Sequence, residues 1–526
     1  MIRRMWILSV LASLLTPVAM AGTVTIEQND LVPSDIRGVL IARYLEPGKP
    51  DLSQPLFGPR FRAPEAELLK SQIARGISGG FGGIMFENRD RGHSSLPKTL
   101  FPQMTYLEYD PILQKVGWDY GLANKIVIPG PLIGNSSTAL TAGPNARSQM
   151  RAAMTVPLGP ETAFLHYTSN SLYVYPEHRD HDARDMYPAI WPYTVNSQGS
   201  SGSDRVFMRA LLMTLAGFSE ETRAALEERK LVAPTLQMIM RHNLAGVNST
   251  ADYMSGIAHR SAYDGADLRP ERMVATAGAL LPEHIPPMVR LEVEEEDFGP
   301  KGGLMQMEER LFSTPASIAR IWRSYDWERE ITLSGAGTEV PEGQDVQFFW
   351  RILRGNPQKI SIEPLDERGT RARIRIQWHD DYPAPPLQAG KKGPRKTSRV
   401  DIGVFASNGS QIGAPSFLSV TFPTHQERQY GRGDDGEVRL QEVNYDSEEM
   451  ERRYDPLLFW SAPWRDTFLY GDDGTFEGWL RRTAGSEEKI APDGFNEQGV
   501  LVLYNMQRNQ DGTVNLVRRG SSGPAP

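Results

Sequence analysis

The sequence predicts a multidomain α+β protein: a mixed α/β or α-rich region at the N-terminus, then a β-sandwich, then a β-rich tail. Two patterns carry that prediction. From Asp204 the residues Val206, Phe207, Ala210, Leu211, Thr214 and Leu215 recur at helical spacing, whereas from Ile331 onward apolar and polar residues alternate at strand spacing. A third observation bounds the cores. The chain has 526 residues, 40% of them hydrophobic, and no cysteine, which is enough apolar material for roughly two or three ordinary cores held by packing alone. The lack of cysteine excludes disulfides, thiolate nucleophiles, zinc–thiolate sites and iron–sulfur clusters.

The first 21 residues read as a secretory signal peptide. Arg3 and Arg4 open it, an apolar run extends from Trp6 to Leu15, and Ala19-Met20-Ala21 forms a small-residue exit. A membrane-spanning helix needs roughly 18 or more apolar residues, and Thr16-Pro17 interrupts the run. The mature chain is therefore expected to be secreted or periplasmic, with no membrane contact after cleavage. Its net charge of −8, or −10 without Arg3 and Arg4, argues against a nucleic-acid partner, because phosphate binding needs a clustered positive field.

Residues 22–290 read as the catalytic or ligand-binding region. Ala63 to Arg75 has the spacing of one amphipathic helix ended by Gly76, with short strands at Gly83 to Phe86 and Lys125 to Ile128. Helices are predicted from Asp204, over Glu220 to Arg229 and over Thr235 to His242, so that residues from about 140 to 290 are expected to be largely helical. Pro286-Pro287 and the acidic run Glu292 to Asp297 mark a linker over 291–327, with a short helix near Ala316 to Arg323. The sandwich is expected over 328–425, a β-rich region over 426–518, and a disordered tail over 519–526.

Ile331-Thr-Leu-Ser-Gly-Ala-Gly-Thr338 followed by Glu342-Gly-Gln-Asp-Val-Gln-Phe-Phe-Trp350 resembles the opening strands of PKD-type and related immunoglobulin-like modules. The resemblance covers about residues 328–425 and implies a two-sheet sandwich with a buried Trp350; the family's Asp-Pro-Asp-Gly turn is Val340-Pro-Glu-Gly343 here. Modules of this kind commonly accompany secreted polysaccharide-active enzymes, so the resemblance implies an extracellular glycan or other polymer as the partner. Tyr470-Gly-Asp-Asp-Gly474, ahead of Trp479, is similar to short YD-type strand repeats.

Chemistry concentrates in Tyr173-Val-Tyr-Pro-Glu-His-Arg-Asp-His-Asp-Ala-Arg-Asp185. His178 or His181 would act as a base with Tyr173 or Tyr175 as the acid, or Glu177 and Asp182 would form the carboxylate pair of a hydrolase. The same histidines with Asp185 would suit a divalent cation, the one cofactor the sequence suggests. The alternative is a charged loop paired internally through Arg179 and Arg184. A second cluster, Ser197-Gln-Gly-Ser-Ser-Gly-Ser-Asp204, precedes a helix. Ser200, Ser201, Ser203 and Asp204 there would present amides and a positive helix end to an anion, with Ser201 a candidate nucleophile off the usual elbow spacing. Asn88, Arg89, Arg91 and His93 follow an apolar strand and would clamp an acidic group or form an Arg-Asp paired turn, and Asn135 sits in a similar polar loop that would bind sugar hydroxyls or merely turn. Gly76-Ile-Ser78-Gly-Gly80 matches the elbow spacing but follows a helix, so it reads as a helix end. His242 and His259 read as structural. These features favour a secreted polysaccharide lyase or glycoside hydrolase acting on an acidic glycan. The alternatives are a secreted serine hydrolase of esters or amides, and a glycan-binding surface or periplasmic protein without activity.

Overall fold

Short apolar segments pair in parallel to form the sheet that organises the N-terminal half. The computed structural model describes residues 22–43, 45, 47, 49–121, 126–137, 156–176, 189–380, 382–383, 396–423, 426–445, 462–508, 510 and 514–519. In chain order the first elements are β1 (Thr23–Ile26), β2 (Leu31–Pro33), β3 (Leu40–Ala42), α1 (Pro64–Ala74), β4 (Met85–Asn88), β5 (Thr105–Tyr109) and α2 (Pro111–Lys115). Then come β6 (Ile126–Val127), β7 (Leu132–Asn135), α3 (Gly159–Thr168), β8 (Ser171–Pro176) and β9 (Thr194–Ser197). A helical block follows: α4 (Arg205–Gly217), α5 (Glu220–Glu228), α6 (Val232–His242), α7 (Thr250–Tyr253) and α8 (Pro270–Ala279).

Six strands form the main sheet in the order β1-β5-β4-β7-β8-β9, all parallel, and β2-β3-β6 form a smaller one. One face of the main sheet presents Phe86, Ile133, Leu172, Val174 and Val195 to Leu69 of α1, Phe207 and Leu211 of α4, Leu236 and Ile239 of α6 and Val274 of α8. The other presents Met85, Leu107, Leu132 and Tyr173 to Ile126 of the smaller sheet and to Leu113 of α2. With both faces covered, β7, β8 and β9 are buried along their whole length. Such strands lose the alternation that marks a half-exposed strand, which is why sequence patterning read much of this stretch as helical. The helices themselves start and stop on local chemistry. Pro64 opens α1, and Gly76 closes it at φ 72°, donating to Ile73 O at 2.9 Å while Ile77 N reaches Gln72 O at 2.9 Å.

Strands then replace helices: β10 (Glu292–Glu296), β11 (Arg310–Thr314), β12 (Ser317–Ile321), β13 (Glu328–Ser334), β14 (Gln347–Arg354), β15 (Ile360–Pro364), β16 (Arg371–Gln377), β17 (Tyr382–Pro383), β18 (Lys396–Thr397), β19 (Arg399–Ser407) and β20 (Ser416–Thr421). A four-stranded sheet β10-β13-β16-β15 and a five-stranded sheet β11-β12-β20-β19-β14 enclose one core that includes Trp322, Ile331, Ile374, Trp378, Val404 and Leu418. Its strands begin before the expected boundary at 328. The acidic run is the edge strand β10, whose Glu294 meets Arg371 across the sheet at 2.5 Å. The helix expected near Ala316 to Arg323 is strand β12: it is buried on both faces, so its apolar residues do not alternate with polar ones.

The sandwich also packs against the α/β half. Phe312, Leu353, Phe405 and Phe417 join the core cluster of α4 and α6. Ile190 N donates to Ser419 Oγ at 2.8 Å, Ser317 Oγ to Ile190 O at 3.0 Å, and Tyr253 OH to Gly413 O at 2.8 Å. The remaining strands, β21 (Glu427–Arg432), β22 (Val438–Asn444), β23 (Arg465–Tyr470), β24 (Phe476–Arg482) and β25 (Glu487–Ile490), form an antiparallel meander, and β26 (Tyr504–Arg508) and β27 (Val514–Arg518) a hairpin. Asp472-Asp473 turns the chain between β23 and β24, where the repeat-like motif was noted. Among the described residues no helix is long and apolar enough to cross a membrane.

Candidate functional site

Open parallel sheets bind ligands beyond the C-terminal ends of their strands, where the strand order reverses. Here the chain goes from β4 to β5 on one side and then to β7 on the other, so the reversal lies between β4 and β7. Their last residues, Asn88 and Asn135, are directly paired.

Asn88 builds the loop that follows β4. Its Oδ1 accepts from Asp90 N and Gly92 N, each at 3.0 Å, and its Nδ2 donates to His93 O at 2.8 Å, a local turn that asparagine is suited to make. The loop holds Arg91 at φ 48° and Ser94 at φ 56°. Side-chain-bearing residues rarely adopt this left-handed conformation, and such strain gathers at functional sites.

Asn135 joins that loop to the start of α4. Its Nδ2 donates to Asp204 Oδ2 at 2.9 Å and to His93 O at 3.3 Å. Gly202 N donates to Ser94 Oγ at 2.6 Å and to Asp204 Oδ1 at 3.2 Å, and the hydroxyls of Ser197 and Ser203 meet at 2.8 Å. Segments at 88–94, 135 and 197–204 therefore converge. Asp204 is fully buried, and the N-terminal end of α4 favours its negative charge. Asn135 Oδ1 is buried without a hydrogen-bond partner. Asp90 is 4% exposed, and its Oδ2 lies 3.9 Å from Nδ1 of His93, whose side chain is 70% exposed. A buried carboxylate beside an open imidazole is the arrangement of an orienting group and an acid or base.

Several expected roles change. Arg89 is not a substrate clamp. It is fully buried, its Nε donating to Glu87 Oε1 at 2.8 Å and its Nη2 to Ile126 O at 2.7 Å. Burial opposes its charge, but Glu87 and the nearby phenols Tyr109 and Tyr173 hold its pKa above the ordinary arginine range. Tyr173 donates to Glu87 Oε2 at 2.5 Å, and Tyr109 donates to Oε1. Burial pushes the Tyr173 phenol well above its usual range against the opposing pull of Arg89, so Tyr173 is a member of this internal network rather than an acid facing substrate. Gly134 permits it: a Cβ there would lie 2.6 Å from the Tyr173 ring. Tyr175 is likewise fully buried in the main core.

The serine turn does not form an open anion cradle either. Gly202 N is engaged as described, Ser203 N bonds Ser200 O at 3.0 Å, Arg205 N bonds Gly202 O at 3.4 Å, and the Asp204 carboxylate already occupies the helix end. Ser200 and Ser201 are exposed at the rim. Arg91 lies at the surface, paired with Asp119 at 3.2 Å and stacked 5.0 Å over Tyr120. Glu177, His178, His181, Asp182 and Asp185 lie outside the described residues, which contain no cluster of three or more metal-binding side chains. Asp90, Ser94 and Glu87 are the residues that sequence reasoning passed over. The spacing Glu87-x-Arg89 across the end of β4 was a usable signal, since residues two apart in extended chain share one face.

Replacing Glu87 by alanine is expected to destabilise the protein by about 3–5 kcal/mol, because Arg89 would be left buried without its counter-charge. Urea unfolding of the variant checks this, and a loss under about 1 kcal/mol would show that the pair behaves as a surface bridge.

No protein-family model and no curated protein matches the chain. Among solved structures it is similar to a nucleoside hydrolase-related hypothetical protein from Saccharophagus degradans associated with carbohydrate metabolism, at 11% identity and a TM-score of 0.18. The match covers 60% of this chain and 66% of that one, just under two thirds of its length. At that TM-score a common fold does not follow, and no role is transferred.

Proposed function

We propose that the groups beyond the C-terminal ends of β4 and β7 bind the hydroxyls of a neutral sugar and hydrolyse its glycosidic bond. The observation that carries this reading is the meeting of the buried Asp204 carboxylate, the unpartnered Asn135 Oδ1 and the Asp90–His93 pair at the C-terminal end of the main sheet. Carboxylate and amide oxygens accept hydrogen bonds from sugar hydroxyls. His93, oriented by Asp90, is the exposed group that protonates the leaving oxygen while the attacking water gives its proton to solvent, and the buried Asp204 holds Asn135 and the 197–204 turn in position. An acidic glycan is disfavoured, because Arg89 is committed to Glu87 and Arg91 to Asp119. A lyase is disfavoured with it, since elimination needs an acidified proton beside a neutralised carboxylate.

The leader-like first 21 residues support export toward an extracellular polymer. The sandwich supports an immunoglobulin-like reading of residues 292–421. With β10, β13, β14, β15, β16, β19 and β20 labelled A to G, the strands give A-B-E-D in one sheet and G-F-C in the other, with Trp350 buried on the C strand and β12, outside that set, running parallel to β20.

The test is release of reducing ends from a panel of neutral and acidic polysaccharides. Asp204→Asn, through lost positioning, and His93→Ala, through the lost acid, are each expected to lower kcat by about 10²–10⁴-fold, with His93→Ala, at an exposed position, controlling for folding. Unsaturated chain ends, labelling of a serine by an organophosphonate, or full activity in both variants would each overturn the reading.

A further inference from the structure

Five of the described buried arginines face a carboxylate, while Arg428 is held by Gln426 Oε1, the carbonyl of Ser324 and the Trp378 ring instead. Arg89 faces Glu87 at 2.8 Å, Arg320 faces Glu296 at 2.6 Å, Arg329 faces Glu309 at 2.6 Å, Arg399 faces Asp401 at 2.8 Å and Arg481 faces Asp466 at 2.5 Å. The reason is physical: guanidinium stays protonated at any ordinary pH, and a buried charge needs an opposite one.

Arg241, in the last turn of α6, has neither arrangement in full. It is 3% exposed, and no carboxylate among the described residues pairs with it. Its Nη1 donates to His259 Nδ1 at 3.0 Å, its guanidinium lies 5.7 Å from the Phe417 ring, and its Nε is buried without a partner. His259 supplies no negative charge, because its Nε2 donates to Tyr253 O at 2.6 Å and its Nδ1 is the acceptor for Arg241, which together make it neutral.

The other titratable groups around the joint are no better. His242, the neighbouring residue of α6, stacks on Tyr253 at 3.4 Å. Tyr167 and Tyr253 feel the Arg241 charge but are buried phenols, and Tyr263 is buried beside Tyr253. From the sandwich, Phe405 and Phe417 pack against His259. One turn back on the same side of α6, Gln237 donates to Pro192 O and Thr194 O and keeps its Oε1 without a partner. The negative end of α6 offsets the Arg241 charge only in part.

We propose that a halide ion sits beside Arg241 in the joint between α6 and the sandwich, completing the missing ion pair and tying the two halves together. It binds N–H donors and needs no other charge, so one halide suits one guanidinium. Because the ion would bind only where the fold brings Arg241 into the joint, its occupancy should stabilise the folded chain through mass action.

The test uses bromide as the probe on the full chain. Crystals soaked in sodium bromide are expected to show an anomalous peak in contact with the Arg241 guanidinium. At constant ionic strength, the melting temperature is expected to rise by at least about 2 °C when gluconate is replaced by chloride. Arg241→Met should lose both effects. If that variant does not fold, the wild-type peak and the anion dependence still decide. No peak at Arg241, stabilisation by acetate but not chloride, or a peak without stabilisation, which would mark an adventitious ion only, would each overturn the proposal.

Discussion

A chain truncated after Arg290 is expected not to fold. The α/β half ends there in sequence but not in space, since Phe312, Leu353, Phe405 and Phe417 of the sandwich belong to the same cluster as α4 and α6. Burying each such side chain contributes about 1.5–3 kcal/mol, so exposing their site forfeits roughly 6–12 kcal/mol. That is comparable with the whole net stability of a typical domain, about 5–15 kcal/mol. The bonds from Ser419 and Ser317 to Ile190, and from Tyr253 to Gly413, disappear as well. Circular dichroism and a melting curve of residues 22–290 check this. A cooperative transition near that of the full chain would show that the sandwich is a detachable spacer.

Mild acid is expected to unfold the protein above the pH at which most carboxylates protonate. His166 and His259 are held well below the usual histidine range, in both cases first by burial and then by a nearby arginine: Arg89 for His166 and Arg241 for His259. Burial brings His242 down to about 4. The sign follows from linkage. Below about pH 6.5 the unfolded chain protonates these imidazoles while the folded chain keeps them neutral, so stability is full above that pH and is lost as pH falls. Each group contributes about 1.4 kcal/mol per pH unit, so the three together remove about 4 kcal/mol per unit between roughly pH 6 and the folded value of His242. Urea midpoints at pH 7, 6 and 5 measure this directly. Equal midpoints across that range would show that the histidines are hydrated rather than buried.

What the sequence made legible follows from periodicity. Helices α1 and α5 keep an exposed polar face, and α4 and α6, though largely buried, keep apolar residues at helical spacing, so spacing and end signals placed all four to within a few residues. Strands β8 and β12 are buried on both faces and carry no alternation, and they were missed for that reason. Asn88, Asn135 and Asp204 were legible as polar residues at the ends of apolar elements. Their convergence was not, because Asn135 and Asp204 are 69 residues apart in sequence. Arg89 was misread because the sequence does not reveal which side chain of Asn88-Arg89-Asp90 turns inward; the Glu87 carboxylate, two residues earlier on the same face, decides it.

The central claim is that the groups beyond the C-terminal ends of β4 and β7 hold a sugar, and amide hydrogen exchange on the Asp204→Asn variant with a neutral oligosaccharide tests it most directly. The account predicts protection concentrated in residues 88–94, 132–137 and 197–204. Protection confined to the C-terminal meander, or none with any neutral or acidic oligosaccharide, would contradict it.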